Sequence, residues 1–142
     1  MEPTLHNNDQ LIIEKLSPRF GTLHRGDIIT VDVRDHREVV PDSPIIKRII
    51  GVAGDTVEVK NGKVYVNDEE LNEDYINGDN TDIVEEEFAK VTVEKGMVYV
   101  MGDNRFPNQS LDSRKIGPLA IKKVGGKAIL RFYPFKDFGT LN

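Results

Sequence analysis

The tripeptide Lys60-Asn61-Gly62 lies between two short alternating runs, Thr56–Val59 and Lys63–Val66. An Asn-Gly pair accepts the left-handed backbone of a type I′ turn, whose twist matches that of paired strands, so this segment predicts a tight β-hairpin. The rest of the chain repeats the pattern. Gln10–Glu14, Asp27–Val33, Pro44–Val52, Met97–Met101 and Lys127–Phe132 are brief apolar runs rich in β-branched residues. Turn sequences separate them: Arg25-Gly26-Asp27, Gly54-Asp55, Gly102-Asp103-Asn104 and Gly125-Gly126. There is no long segment of 3.6-residue period, and only Asp82–Lys90 suggests a short helix. The expected fold is mainly β, built from antiparallel sheets in one domain.

At 142 residues the chain is long enough for one domain with a real core and too short for two. A hydrophobic fraction of 38% against 30% charged residues predicts a modest core and long solvated connections. The net charge of −5 argues against a nucleic-acid partner, which requires a basic face. With no cysteine, a disulfide scaffold, a thiolate metal site and a thiol nucleophile are all excluded. No apolar run approaches the roughly 18 residues of a membrane span. The sequence opens abruptly at Met1-Glu2-Pro3-Thr4-Leu5, which suggests that a natural N-terminal segment belongs ahead of it. Asn67–Glu87 is acidic and poor in apolar residues, so an acidic, solvated insertion is expected over about residues 67–95. Its glycine is misplaced for a calcium loop.

Chemistry concentrates in two places. In Ile45-Ile46-Lys47-Arg48-Ile49-Ile50, strand alternation puts Lys47 on one face with Ile45 and Ile49, and Arg48 on the other with Ile46 and Ile50. Whichever face is inward, one cation lies near the core. Lys47 could snorkel to water from an edge strand. Alternatively, a desolvated lysine of lowered pKa could serve as a general base, which takes about 4 kcal/mol of destabilisation of the charged form. The second place is Gly102-Asp103-Asn104-Arg105, followed by Phe106–Leu111 and then Asp112-Ser113-Arg114. Its carboxylate, amide and guanidinium groups can brace an irregular loop, with Ser110 and Ser113 as ordinary loop serines.

In chain order, Met-x-Pro-Thr-Leu, Arg25-Gly26-Asp27-Ile28, Lys47-Arg48-Ile49-Ile50-Gly51-Val52-Ala53-Gly54-Asp55, Gly102-Asp103-Asn104-Arg105 and Ser110-x-Asp112-Ser113-Arg114 resemble the sequence boxes of type I signal peptidases. The ending Arg131-Phe132-Tyr133-Pro134-Phe135 resembles that of Gram-positive members, and the likeness runs from Met1 to about Phe138.

This resemblance implies the coiled antiparallel sheets of the signal-peptidase fold, shared with SOS-repressor-like peptidases. It implies a membrane-bound Ser/Lys serine endopeptidase that removes signal peptides from secretory preproteins. Its anchor would be single-pass, with the catalytic domain on the extracytoplasmic face of the cell membrane. Lys47 matches the general base, and Ser110 matches the serine that orients it. Arg48, Asp103, Arg105, Asp112 and Arg114 match positions that support the loop. The substrate would add as an extended strand beside Asp42-Ser43-Pro44-Ile45, with Met1, Leu5, Ile45 and Ile46 lining shallow apolar pockets. No cofactor or metal is implied, and His6, His24 and His36 have no metal-ligand spacing. The family's nucleophilic serine falls immediately ahead of Met1, outside this chain, so the chain as given is expected to be inactive. The segment between Arg105 and Asp112 is two residues longer than the usual family spacing, which could displace Ser110.

Phe132, Tyr133, Phe135 and Phe138 admit two readings: core packing at a sheet edge, or an exposed rim resting on the membrane surface. Two rival functions fit parts of the pattern. One is a self-cleaving SOS-repressor-type domain, and the other is an inactive signal-peptidase-like chaperone or assembly factor.

Overall fold

A computed structural model of the chain describes residues 1–36, 44–78, 80, 81 and 84–141. The predicted hairpin forms with Asn61 at φ 50° and Gly62 at φ 75°, the left-handed pair that a type I′ turn requires. It joins β4 (Thr56–Lys60) to β5 (Lys63–Val66), so the full run of described strands is β1 (Gln10–Glu14), β2 (Ile28–Val31), β3 (Ile45–Val52), β4, β5, β6 (Glu69–Glu70), β7 (Lys90–Thr92), β8 (Met97–Met101), β9 (Leu119–Ala120), β10 (Val124–Tyr133) and β11 (Gly139–Thr140). Among the described residues one α-helix, the four-residue α1 (Ser113–Ile116), follows β8.

The strands form two sheets. The larger runs β1-β10-β2-β3-β8-β9, with β11 on the edge of β10, and the smaller runs β6-β5-β4-β7. Every strand pair is antiparallel, as the sequence predicted. In the hairpin, Val57 pairs with Val66 and Val59 with Val64, which directs all four valines to one face. They bury against Ile50, Val93, Tyr99 and Met101 in the core between the sheets. A side chain at Gly51 would meet Val57 Cγ2 at 2.5 Å and Val93 Cγ2 at 3.3 Å, so glycine is what lets the two sheets close at this point. On the larger sheet, Ile29, Val31, Ile49, Val98, Val100, Leu119 and Val124 form a second core. A third, smaller one joins Leu5, Ile28 and Ala128, with Met1 and Ile46 packed at its margin.

Three expectations are corrected. Asp82–Lys90 forms no α-helix among the described residues. It holds a single 3₁₀ turn at Glu86–Phe88, and Lys90 already begins β7. Pairing with β4 overrides the weak helical preference, because the ladder satisfies backbone groups that so short a helix would leave open. The last long strand starts at Val124 rather than Lys127, since Gly125-Gly126 is strand with a bulge and not a turn. The acidic stretch is also only partly solvated. Its Asn77 pairs with Asn104 in an isolated bridge, donating to the Asp103 carbonyl at 2.9 Å and accepting from the Arg105 amide at 3.1 Å.

Candidate active site

Both cations of β3 are drawn inward, because both faces of this central strand are covered. Arg48 is 2% exposed. Its Nε and Nη2 donate to the two Asp103 carboxylate oxygens at 2.9 and 2.7 Å, and its Nη1 donates to the Gly26 carbonyl at 3.0 Å. The Tyr75 ring covers the guanidinium with its centroid 4.0 Å away. Thr4 donates its hydroxyl to Asp103, and its carbonyl accepts from Arg131 at 2.9 Å. The N-terminal segment is thereby tied to the middle of the sheet.

Lys47 projects from the opposite face and has a different environment. Among the described residues it forms no ion pair. A side chain built on Gly102 would come within 2.2 Å of Ser110 Oγ and 3.6 Å of Lys47 Nζ, so these two heads share the space above the Gly102 α-carbon. The Ser110 hydroxyl donates to Asp112 Oδ2 at 2.8 Å. With its proton directed there, the serine oxygen keeps lone pairs for a neighbouring amine. The longer loop before it is taken up at an exposed tip, Phe106–Gln109, and Ser110 stays beside Lys47.

Asp112 is fully buried and caps α1. It accepts from Arg114 Nε and Nη2, both at 2.9 Å, and from the Gly102 amide at 2.8 Å. Burial alone would raise its pKa. The hydrogen bonds and charge of Arg114, the Gly102 amide and Lys47 outweigh burial and hold the carboxyl below its ordinary value. Each buried carboxylate near Lys47 therefore already has its own arginine: Asp103 has Arg48 and Asp112 has Arg114. Neither is free to act as a full counter-ion to the amine. Desolvation is the dominant influence on Lys47 and lowers its pKa. Asp112 partly opposes it, Arg114 adds to the lowering, and Asp103 opposes. The Met1 backbone nitrogen also lies close enough to Lys47 to feel its charge.

Arg105 is fully buried. Its Nε donates to the Gly102 carbonyl at 2.8 Å and its Nη1 to Thr81 at 2.7 Å, and its fork grips Glu73. Glu73, Tyr75 and Thr81 lie in the stretch expected to be solvated. A buried guanidinium needs a carboxylate, and the acidic stretch supplies one. Ser113, read as a loop serine, is buried and accepts from the Val100 amide at 2.9 Å. Sequence reading missed Gly102, Thr4, Glu73 and Tyr75. The residues matched to loop support are three arginines, Arg48, Arg105 and Arg114, against two aspartates, Asp103 and Asp112, and that imbalance was the signal that an acidic partner must come from elsewhere.

The proposed substrate-lining residues divide. Asp42 and Ser43 lie outside the described residues, and Pro44 is exposed. Met1 and Ile46 pack beside Leu5, which is buried and presents no open surface. Ile45 packs on the other face of β3, toward the main core. On one edge of β3, Ile45 and Ile46 pair with Val31 and Thr30. On the other edge the first pair is Arg48 with Met101, so Ile45 and Ile46 have no strand partner there among the described residues.

The C-terminal aromatics are not core. Phe132, Tyr133, Phe135 and Phe138 are 36%, 44%, 79% and 62% exposed. No helix among the described residues is long and apolar enough to cross a membrane.

A family model described as signal peptidase, peptidase S26 matches residues 1–133. The protein named Probable signal peptidase I-2 of Synechocystis sp. is 41% identical over 142 residues, covering 99% of this chain and 62% of that protein. Signal peptidase I S of Bacillus subtilis is 35% identical over 150 residues, covering 100% of this chain and 77% of that protein. A crystal structure of a signal peptidase I from Enterococcus faecalis superposes with a TM-score of 0.57 at 29% identity, covering 82% of this chain and 98% of that one. The chain thus spans less than two thirds of the first of these relatives and about three quarters of the second.

Proposed function

The chain belongs to the signal peptidase family, and on that premise we propose that it is the catalytic part of a membrane-associated serine endopeptidase that removes N-terminal signal peptides from preproteins. The observation that carries this reading is the Lys47 amine, desolvated and without an ion-pair partner among the described residues, packed with Ser110 over Gly102.

The nucleophile in this reading is a serine joined to the Met1 nitrogen, where the family pattern has it. Neutral Lys47 takes the serine proton as the oxygen attacks the scissile carbonyl carbon. The resulting ammonium gives that proton to the departing amine, leaving an acyl-serine. Lys47 then deprotonates a water that attacks the ester, and returns the proton to the serine. Ser110 and Asp112 hold the amine in line. Ser110 donates to Asp112, so its oxygen faces the amine with lone pairs, and the lysine's own lone pair is left for the nucleophile. The preprotein adds as a strand along the edge of Ile45 and Ile46 that has no strand partner among the described residues. Shallow pockets at Met1, Ile45 and Ile46 exclude large side chains before the cut. The exposed aromatics from Phe132 to Phe138 rest against the outer face of the membrane.

The test is cleavage of a synthetic signal peptide with small residues one and three positions before the cut. The serine-bearing form should cleave it, whereas the chain beginning at Met1 should not. Lys47→Ala in the serine-bearing form should lose about 10²–10⁴-fold in turnover. Wild-type turnover in Lys47→Ala would remove the lysine from the mechanism.

A further inference from the structure

Away from Lys47, the turn between β1 and β2 and the start of β10 enclose a cavity of about 320 Å³. Lys15, Arg19 and Lys122 line it, and no carboxylate does. This is unexpected in a chain of net charge −5. Neighbouring cations are already matched: Lys123 pairs with Asp35, and Lys127 pairs with Asp27 at 2.9 Å. The nearby Glu14 carboxylate accepts the Leu16 and Ser17 amides at 2.9 and 3.1 Å. Lys15, Arg19 and Lys122 form no ion pair among the described residues. All three are exposed and face one cleft, so together they present a positive surface on which an anion gains from each.

Two further features point the same way. The floor of the cavity includes Gly125, the residue at which the β10–β2 register slips between Val124 and Gly126. A bulged residue is left out of regular ladder pairing, and Gly125 is exposed at that point, with Thr30 Oγ1 lying 2.9 Å from where a side chain would begin. Arg19 is presented by an ordered turn, with its amide donating to the Leu16 carbonyl at 3.0 Å and the Thr22 amide donating to the Ser17 carbonyl at 3.1 Å. The same turn exposes Leu16 at 64% and Phe20 at 74%. Apolar side chains beside a basic cavity suit a group that is anionic and carried at an apolar boundary.

We propose that Lys15, Arg19 and Lys122 form a binding site for a phosphate group, either a phospholipid headgroup or a free phosphate. The arginine fork and two ammonium groups match its oxygens. This site is independent of the peptidase reading and can be tested without any cleavage assay.

Inorganic phosphate would be titrated into the chain at constant ionic strength, with sodium chloride as the control, and backbone amide shifts followed by NMR. Phosphate should shift Gly125 and the amides of the 15–19 turn, and chloride should not. In parallel, the chain would be sedimented with phosphatidylcholine vesicles, with and without phosphatidylglycerol. Retention that requires phosphatidylglycerol identifies a lipid headgroup, whereas phosphate shifts without retention identify a soluble phosphate. Either result supports the site. The Lys15→Gln, Arg19→Gln, Lys122→Gln triple variant should bind roughly 100-fold more weakly, at about fivefold per cation. A control triple variant, Lys90→Gln, Lys95→Gln, Lys115→Gln, should bind normally. No shift at Gly125 with either probe, equal shifts with chloride, or equal loss in the control variant would overturn the proposal.

Discussion

Gly102→Ala is the smallest change that should disable the chemistry. The new methyl carbon would sit 2.2 Å from Ser110 Oγ, 2.8 Å from Ser110 Cβ and 3.6 Å from Lys47 Nζ. An ordinary contact is at least 3.4 Å, so Ser110 must retreat by about 1 Å. Its hydrogen bond to Asp112, now 2.8 Å, would then exceed hydrogen-bonding range. Overpacking costs about 1–3 kcal/mol and the lost bond about 1 kcal/mol. A domain of this size should therefore melt roughly 4–12 °C lower by circular dichroism. Asp112 keeps the Gly102 amide and Arg114 as donors, so the fold should survive. In the serine-bearing form kcat should fall about 100-fold, the usual consequence of misplacing a catalytic group by about 1 Å. Peptide KM should barely move, because the β3 edge at Ile45 and Ile46, which has no strand partner among the described residues, is untouched. Adding Ser110→Gly removes both close contacts, so melting temperature should recover while kcat does not. Wild-type kcat in Gly102→Ala, or joint recovery of stability and turnover in the double variant, would refute the packing of Lys47 and Ser110 over Gly102.

Asp112→Asn removes the carboxylate that grips the buried Arg114 guanidinium and should cost about 3–5 kcal/mol, measured by urea unfolding. An unchanged midpoint would mean that Arg114 finds water or another acid. Glu73→Gln should destabilise by a similar but smaller amount, toward about 3 kcal/mol, because Arg105 keeps Gly102 and Thr81 as acceptors. Its signature should be lower kcat from the loosened Gly102 backbone.

The hairpin and the alternation of β3 were legible because each rests on a local rule: the left-handed Asn-Gly turn and the two-residue period. The placement of Lys47 and Arg48 on opposite faces followed from the same period. What local reading missed depends on partners distant in sequence. Glu73 reaches Arg105 across 32 positions and Thr4 reaches Asp103 across 99, and no propensity encodes such pairs. Acidic composition made residues 67–87 look solvated, yet the burial of Arg105 pulls part of that stretch inward. The short β6, β9 and β11 were invisible because two residues carry no period. The role of Gly102 needed coordinates, since a glycine after a strand reads as a turn until something is found above it.

Proton transfer at this site depends on an amine kept short of charge by burial while the nearby carboxylates are held by arginines. A base whose pKa is lowered in the folded state binds fewer protons there than when unfolded. Stability should therefore rise with pH between the lowered value and the ordinary lysine value near about 10.4, and turnover in the serine-bearing form should rise as the amine loses its proton. The direct measurement is an NMR titration of the Lys47 side chain, using carbon-13-labelled lysine with Lys47→Arg to assign the signal. The predicted result is a midpoint clearly below that of the exposed lysines, moving further down when Asp112 is neutralised by Asp112→Asn. A Lys47 midpoint indistinguishable from those of the surface lysines would contradict the account.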